Sequence, residues 1–220
     1  MYKFIKRLFV LSAFLLPTTL FAADSSLPIN NSYGTFNIDT FLNASTEHRF
    51  AVETRASSLA TYSASTAAVA SASSATDFCT LTGSATKTIR VTQLRFGGTL
   101  TTAANALIKV TKRSTADSSG TSQNLVEVPH DSSDSAATAT ALVYTANPTV
   151  GTTVGDLAAY RLFFPAPATA TTTNDPFIFE YGLLSEPVVL RGTGEVLVVN
   201  LNAATLTGSL LNCGFTWTEE

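Results

Sequence analysis

Short stretches in which every second residue is apolar recur from residue 78 to the C-terminus, and they constrain the fold more than any other feature. Gly, Pro, Asn and Ser residues typical of turns separate them, and no segment has the period of a convincing amphipathic helix. The nearly continuous apolar run over 195–202 is typical of a strand buried on both faces. This pattern predicts an all-β fold, a jelly-roll-like β-sandwich. The predicted strands are 78–82, 87–96, 106–111, 141–145, 159–164, 177–181, 187–190, 195–202 and 209–218, with a weaker strand pair over 61–72.

The strand predicted over 87–96 contains a change of phase. Ile89 and Val91 share one face, but the apolar face switches before Leu94 and Phe96. Because side chains alternate between the two faces of a regular strand, this switch predicts a β-bulge or a bend.

Charged residues make up only 13% of the chain, about half the usual fraction of roughly 25%. The net charge is −3, and the sequence has no basic stripe that would indicate a nucleic-acid binder. A hydrophobic fraction of 45% excludes a disordered polar chain. Ser and Thr therefore supply the polar strand faces. Sparse surface charge reduces the repulsion between copies and favours a homo-oligomer, with a secreted monomer of neutral surface as the alternative.

Residues 1–22 are typical of a secretory signal peptide. Basic residues precede an apolar run over 8–16, Pro17 interrupts the run, and small residues follow at Ala22 and Ala23, with cleavage expected after Ala22. The run is shorter than the roughly 20 apolar residues of a membrane-spanning helix, so we expect contact with a membrane only through this segment. An uncleaved membrane anchor or hydrophobic arm is the alternative.

The rest of the chain divides into an N-terminal extension or arm over 23–58 and a β-sandwich domain over 59–220. A chain of 220 residues has room for one large domain with such an arm. We expect the protein either in a virion or, after cleavage of the signal peptide, exported to the periplasm or the medium.

Cys79 and Cys213 are the only two cysteines, and both lie in strand-like sequence. In an oxidising compartment such a pair is a candidate disulfide. The bond would span 134 residues and join the first core strand to the last. Two buried free thiols are the alternative. Neither cysteine has a nearby His or other base in the sequence to activate it as a nucleophile.

The most polar cluster of the sequence contains His130, Asp131 and Asp134, within 129–134. This segment lacks the ligand spacing of a calcium loop, and only His48 is available as a second imidazole for zinc. We therefore interpret it as an Asx-type turn between strands, and we expect neither a metal nor another cofactor.

Two other groups of residues have a functional and an ordinary interpretation. Glu180 and Glu186 are candidates for the paired carboxylates of a glycoside hydrolase, but they resemble a strand residue and a turn residue. Four aromatic side chains are candidates for a sugar platform, although in an all-β chain such residues are more often part of the core. These aromatic residues are Tyr144, Tyr160, Tyr181 and Trp217. No nucleophile elbow, phosphate loop or dinucleotide fingerprint is present, so we expect no enzymatic activity.

From about residue 59 to the C-terminus the chain resembles a family of small proteins encoded by tailed bacteriophages and prophages. The resemblance follows collinear segments, among them Asp77-Phe-Cys-Thr-Leu-Thr-Gly, Val128-Pro-His-Asp-Ser-Ser-Asp, Pro187-Val-Val-Leu-Arg-Gly-Thr and Trp217-Thr-Glu-Glu. Members of this family are mostly described as hypothetical or virion-structural proteins. The resemblance implies a particle component and carries over no catalytic residue.

Two functions follow as expectations. The first is a non-enzymatic structural protein of a virion, as a capsid decoration or a tail-associated component, with other copies of itself and other virion proteins as partners. The second is an exported surface adhesin or carbohydrate-binding module, with the predicted loops 112–135 and 165–175 as candidate ligand sites. Nucleic acid is not an expected partner in either case.

Overall fold

The computed structural model describes residues 29–31, 34–36, 59–166, 176–182 and 186–220. The chain forms two units, Met1–Ala56 and Ser57–Glu220. In the first unit, β1 (Ile29–Asn31) and β2 (Gly34–Phe36) form an antiparallel pair.

Several sequence-based predictions fall outside the described residues. These are the signal peptide over 1–22, its cleavage site at Ala22 and Ala23, most of the arm over 23–58 with His48, and residues 167–175 of the predicted loop 165–175. Among the residues described, no helix is long and apolar enough to cross a membrane.

The second unit is all-β in its described part, as the alternating pattern predicts. Its strands are β3 (Ala60–Val69), β4 (Ala75–Thr82), β5 (Ile89–Thr99), β6 (Ala104–Arg113), β7 (Thr121–Asn124), β8 (Glu127–Pro129), β9 (Thr140–Ala146), β10 (Thr153–Phe164), β11 (Phe177–Glu180), β12 (Val188–Leu190), β13 (Val196–Ala204) and β14 (Leu210–Glu219).

These strands form two antiparallel sheets that pack face to face. Sheet I has the order β11-β5-β14-β3-β8, with β12 also paired to β5, and sheet II has the order β10-β6-β13-β4-β9-β7. Four pairs are nested along the chain: β3 with β14, β4 with β13, β5 with β11 and β6 with β10. Because successive pairs alternate between the sheets, the chain is wound as a jelly roll, which confirms the predicted fold.

The core between the sheets is dominated by aromatic side chains. The ring of Phe96 in sheet I contacts the rings of Phe78 and Phe164 in sheet II edge-on, each at a centroid distance of 6.1 Å. Within sheet I, Tyr62 stacks on Trp217 at 5.9 Å. Truncation of a buried aromatic residue to Ala costs about 3–5 kcal/mol, so these contacts are central to stability.

The predicted change of phase in β5 is confirmed as a β-bulge. Val91 lies opposite Trp217 and Gln93 lies opposite Thr216, so Thr92 is an extra residue without a counterpart on β14. The bulge lets the apolar residues on both sides of Thr92 face the same core.

The prediction that the apolar run in β13 is buried on both faces is also confirmed. Leu197 and Val199 belong to the core between the sheets, whereas Val196 and Val198 alternate with them and are buried on the outer face of sheet II. The strand lies between β6 and β4, near the middle of its sheet.

Three differences from the predicted strands concern more than the end residues of a strand. The predicted loop 112–135 contains β7 and β8; β7 is polar and exposed throughout, so no apolar alternation marks it, and it forms by backbone pairing with β9. Strand β10 begins at Thr153, earlier than predicted. The sequence pattern missed its first part because bulges at Val154 and Leu157 interrupt the alternation of apolar residues there. The strand pair expected over 61–72 is the single strand β3.

Cys79 and Cys213 form a disulfide, with their Cα atoms 6.5 Å apart. The bond joins β4 of sheet II to β14 of sheet I across the core, and both cysteines are buried. It reaches the last strand as expected, but β4 is preceded by β3 and is not the first strand of the sandwich. A buried bond of this kind indicates a non-reducing environment.

We expect removal of the disulfide to destabilise the sandwich. A cross-link that closes a loop of 134 residues restricts the unfolded chain, and its loss should lower the free energy of unfolding by about 2–5 kcal/mol. Urea denaturation of the oxidised protein, the reduced protein and the variant Cys79→Ala/Cys213→Ala measures this change. Equal unfolding midpoints for all three would contradict the prediction.

Candidate functional site

A groove of about 300 Å³ lies on the outer face of sheet I, across β3, β14 and β5. Polar residues contribute to its walls: Ser65, Thr66, Arg95 and Asn212. Its floor includes three glycines: Gly97, Gly98 and Gly214. Gly97 and Gly98 are buried and Gly214 is half-buried, so of the three glycines Gly214 offers a ligand the closest approach to the strand backbone.

The fold requires glycine at one of these floor positions but not at another. Gly98 has a φ of +150°, and a Cβ atom there would lie 2.5 Å from the carbonyl oxygen of Leu210, so the fold itself requires glycine. At Gly214 a Cβ atom would meet Ser65 Cβ at 3.5 Å and Ala64 O at 3.6 Å, which are ordinary contacts. The fold therefore does not require glycine at position 214, in the middle of β14.

A chain of hydrogen bonds orients Arg95 at the groove. Glu180 on β11 accepts a hydrogen bond from Gln93 Nε2 at 3.0 Å, and Gln93 Oε1 accepts one from Arg95 Nε at 2.6 Å. Because the amide of Gln93 donates to Glu180, its oxygen faces Arg95. The guanidinium therefore uses Nε for this contact, and both Nη atoms are without a partner among the described residues.

Asn212 is fixed in a similar way on the other side of the groove. Its Oδ1 atom accepts a hydrogen bond from the backbone N–H of Ala68 at 2.7 Å. A backbone N–H can only donate, so this contact assigns the amide orientation and leaves Nδ2 as a donor.

The predicted turn over 129–134 is confirmed. Asp131 Oδ1 accepts hydrogen bonds from the backbone N–H of Ser133 at 2.8 Å and from its hydroxyl at 2.7 Å, which lower the pKa of Asp131. His130 Nε2 lies 2.7 Å from Ser63 Oγ, and this hydroxyl is 3.1 Å from Thr216 Oγ1. Within the described residues no group of three or more His, Cys, Asp or Glu side chains is placed to hold a metal ion.

The structure separates the roles of the two glutamates considered as a catalytic pair. Glu180 is engaged with Gln93 on sheet I. Glu186 is exposed just before β12, and no contact between described residues joins it to Glu180. The observed role of Glu180 is to orient Gln93, and through it Arg95.

A platform built from all four candidate aromatic residues does not form. Trp217 is fully buried, and its indole N–H donates to Glu219 Oε1 at 3.1 Å. Tyr144 is buried as well. For Trp217 the core interpretation is confirmed, whereas Tyr144 is buried outside the core cluster, near Asp117 and Asp77.

The other two aromatic candidates belong to a cluster between β10 and β11. The ring of Tyr160, which is 44% exposed, lies 4.6 Å from that of Phe177, and Tyr181 lies 4.4 Å from Phe179. Burial raises the pKa of Tyr181 above its usual value. This cluster packs the edge strand of one sheet against the edge strand of the other.

A second polar site, which the sequence did not indicate, lies on the outer face of sheet II. Arg113 donates to both carboxylate oxygens of Asp77, at 2.5 and 2.7 Å, and also to Thr153 Oγ1 at 2.6 Å. A bulge at Phe78 turns Asp77 away from the core and towards Arg113. The ion pair of Arg113 with Asp77 lies beside the buried outer face of β13, where Arg113 is opposite Val196.

Asp117 is the second acid beside Arg113, at 3.6 Å from its Nε atom. Its Oδ1 atom accepts a hydrogen bond from Gly151 N at 2.9 Å, but its buried Oδ2 atom has no partner among the described residues. Burial raises the pKa of Asp117 to about 6, and the neighbouring charge of Asp77 adds to this effect, against the opposing influence of Gly151 N–H and Arg113. The buried carboxyl groups of Asp77 and Asp117 thus share one guanidinium, that of Arg113.

Comparison of the chain with protein-family models, with curated proteins and with solved structures gives no match. The chemistry of the residues described above is therefore the basis for a functional assignment.

We expect the pH dependence of stability to depend on Asp117. The folded protein binds a proton at about pH 6, whereas the unfolded chain binds it near the ordinary pKa of 3.8. The free energy of unfolding should therefore rise by about 1–2 kcal/mol as the pH falls from 7.5 to 5, and this gain is lost as the pH rises through 6.

Urea denaturation at both pH values measures this change. Asp117→Asn is permanently neutral at this position and should show a smaller difference between the two pH values. Asp131→Asn, at an exposed carboxylate, is the matched control and should behave like the native chain. An Asp117→Asn variant with an unchanged pH dependence would show that another group titrates.

Proposed function

We propose that this chain is a non-enzymatic structural protein of a virion, in which copies associate along the edge strand β10. The observation that carries the proposal is the character of this edge. β10 has 12 residues and pairs only with β6 among the described strands, whereas the opposite edges of the two sheets are formed by β7 with four residues and β8 with three.

Large apolar side chains are concentrated on this edge strand. Four of them are exposed: Val154 at 62%, Leu157 at 44%, Tyr160 at 44% and Phe163 at 52%. Long edge strands with exposed apolar residues are templates for pairing with another chain, and soluble monomers usually protect them with charges. The part from Ala158 to Phe164 has a regular register with β6, which leaves its other side suited to a second strand.

Other observations support a place in a particle. Jelly rolls are common in viral capsid proteins, although they also occur in lectins, so the fold alone is an analogy. The low charge of the chain reduces repulsion between neighbouring copies. The resemblance to phage-encoded proteins over about 59–220 favours the same assignment.

We expect the purified full chain to form dimers or larger oligomers, and the variant Leu157→Lys/Phe163→Lys to be monomeric. Two lysines on β10 place like charges opposite each other in the associated form. Light scattering coupled to size-exclusion chromatography measures the mass. Val126→Lys, at a 76% exposed position between β7 and β8, is the control that adds charge elsewhere and should remain associated. A native chain that is monomeric at all concentrations would refute association along β10.

We also expect the protein in purified particles in stoichiometric amounts. Peptide mass spectrometry of particles and of the periplasmic fraction of the same culture tests this directly and maps the N-terminus. Recovery only from the periplasm or the medium, with a start near Ala23, would contradict the virion assignment.

A second candidate function is an exported binding module on a cell surface, and the groove on sheet I favours it. The disulfide is compatible with such an exported protein. The groove consists of side chains held by defined hydrogen bonds over a floor that is largely glycine, as in a site prepared for a ligand.

A further inference from the structure

We propose that the groove on sheet I binds a sugar that carries a carboxylate, such as a uronic acid, and that Arg95 holds the carboxylate. This inference rests on the second candidate function, because it assigns a ligand class to the same groove. It does not depend on association along β10.

The charge of the groove matches a monoanion. Arg95 is the only charged side chain among the described lining residues, and no acid lies among them. With Nε bound to Gln93, the planar guanidinium presents its two Nη atoms as donors. Two parallel hydrogen bonds from such a fork fit a carboxylate, whereas a phosphate dianion would leave one charge without a partner.

The remaining polar groups suit the hydroxyls of a sugar. The amide of Asn212 is held by Ala68 N–H, which leaves Nδ2 as a donor towards a ligand. Ser65, opposite Gly214, adds a hydroxyl that can both donate and accept. The volume of about 300 Å³ is at the lower end of the range of ligand sites, which limits the occupant to about one ring.

Gly214 provides the space for this ring. Glycine weakens the interior of a strand, and neither a positive φ nor a close contact explains it at this position. A side chain here would stand on the outer face, between Arg95 and Ser65 on the neighbouring strands. The missing side chain therefore leaves the floor open beside the guanidinium, which is where a ring attached to the bound carboxylate has to lie.

The test is an NMR titration of the isotopically labelled full chain with D-glucuronate, and with D-glucose as the neutral match. Glucuronate is expected to shift the amide signals of Gly97, Gly98 and Gly214 to saturation, and glucose to bind at least about tenfold more weakly. Glycine amides are suitable reporters because they form the floor itself.

Two variants and a control locate the site. Arg95→Gln removes the charge, and Gly214→Ala fills the floor with a methyl group for which the fold has room, so it should fold normally. Each should weaken glucuronate binding at least about tenfold. Arg90→Gln removes another arginine of β5, one that pairs with Glu220, and should bind as the native chain does.

The outcomes separate the ligand class from the groove itself. Equal binding of glucose and glucuronate at the groove would overturn the carboxylate assignment while the groove remains a binding site. Glucuronate binding that is unchanged in both Arg95→Gln and Gly214→Ala would place the site elsewhere. No shift of the floor glycines with either sugar would overturn both this inference and the second candidate function.

Discussion

Packing of β4 against β14 across the core determines where most other parts of the domain lie. Each of these strands has a neighbour on both sides, and the Cys79–Cys213 bond joins them in the middle of the sandwich. The polar features on the two outer faces depend on the same strands. The outer face of β14 carries Asn212 and Gly214 of the groove, and that of β4 carries Asp77. A change in the spacing of the sheets would therefore affect both.

The two outer faces use polar groups in different ways. On sheet II, the ion pair of Arg113 with Asp77 is almost completely buried, with Asp117 added at a cost in desolvation. On sheet I, the hydrogen bonds that Gln93 donates to Glu180 and that Arg95 donates to Gln93 are exposed. The buried charges on sheet II hold the loop that carries Asp117 on the sheet, whereas the exposed donors of Arg95 on sheet I are accessible to a ligand.

The two surfaces that carry the functional proposals lie on different strands. The proposed association involves β10 at the edge of sheet II, and the proposed ligand binding involves β3, β14 and β5 in sheet I. The aromatic cluster of Tyr160 and Phe177 joins β10 to β11 and so fixes one edge strand relative to the other. A single copy can therefore present the groove while its β10 edge is paired, which makes assembly and recognition compatible.

The sequence by itself determined the elements whose side-chain pattern is local. Alternation predicted most of the strands, the phase change at Leu94 predicted the bulge at Thr92, and the continuous run in β13 predicted burial on both faces. The sequence left undecided whether Cys79 and Cys213 form a disulfide, and it did not indicate β7, which has no apolar pattern. Only the tertiary structure brought Ser65, Arg95 and Asn212 to one groove and Asp77, Arg113 and Asp117 to one cluster. The nested pairing of a jelly roll joins strands far apart in the chain, so no local pattern contains these neighbours.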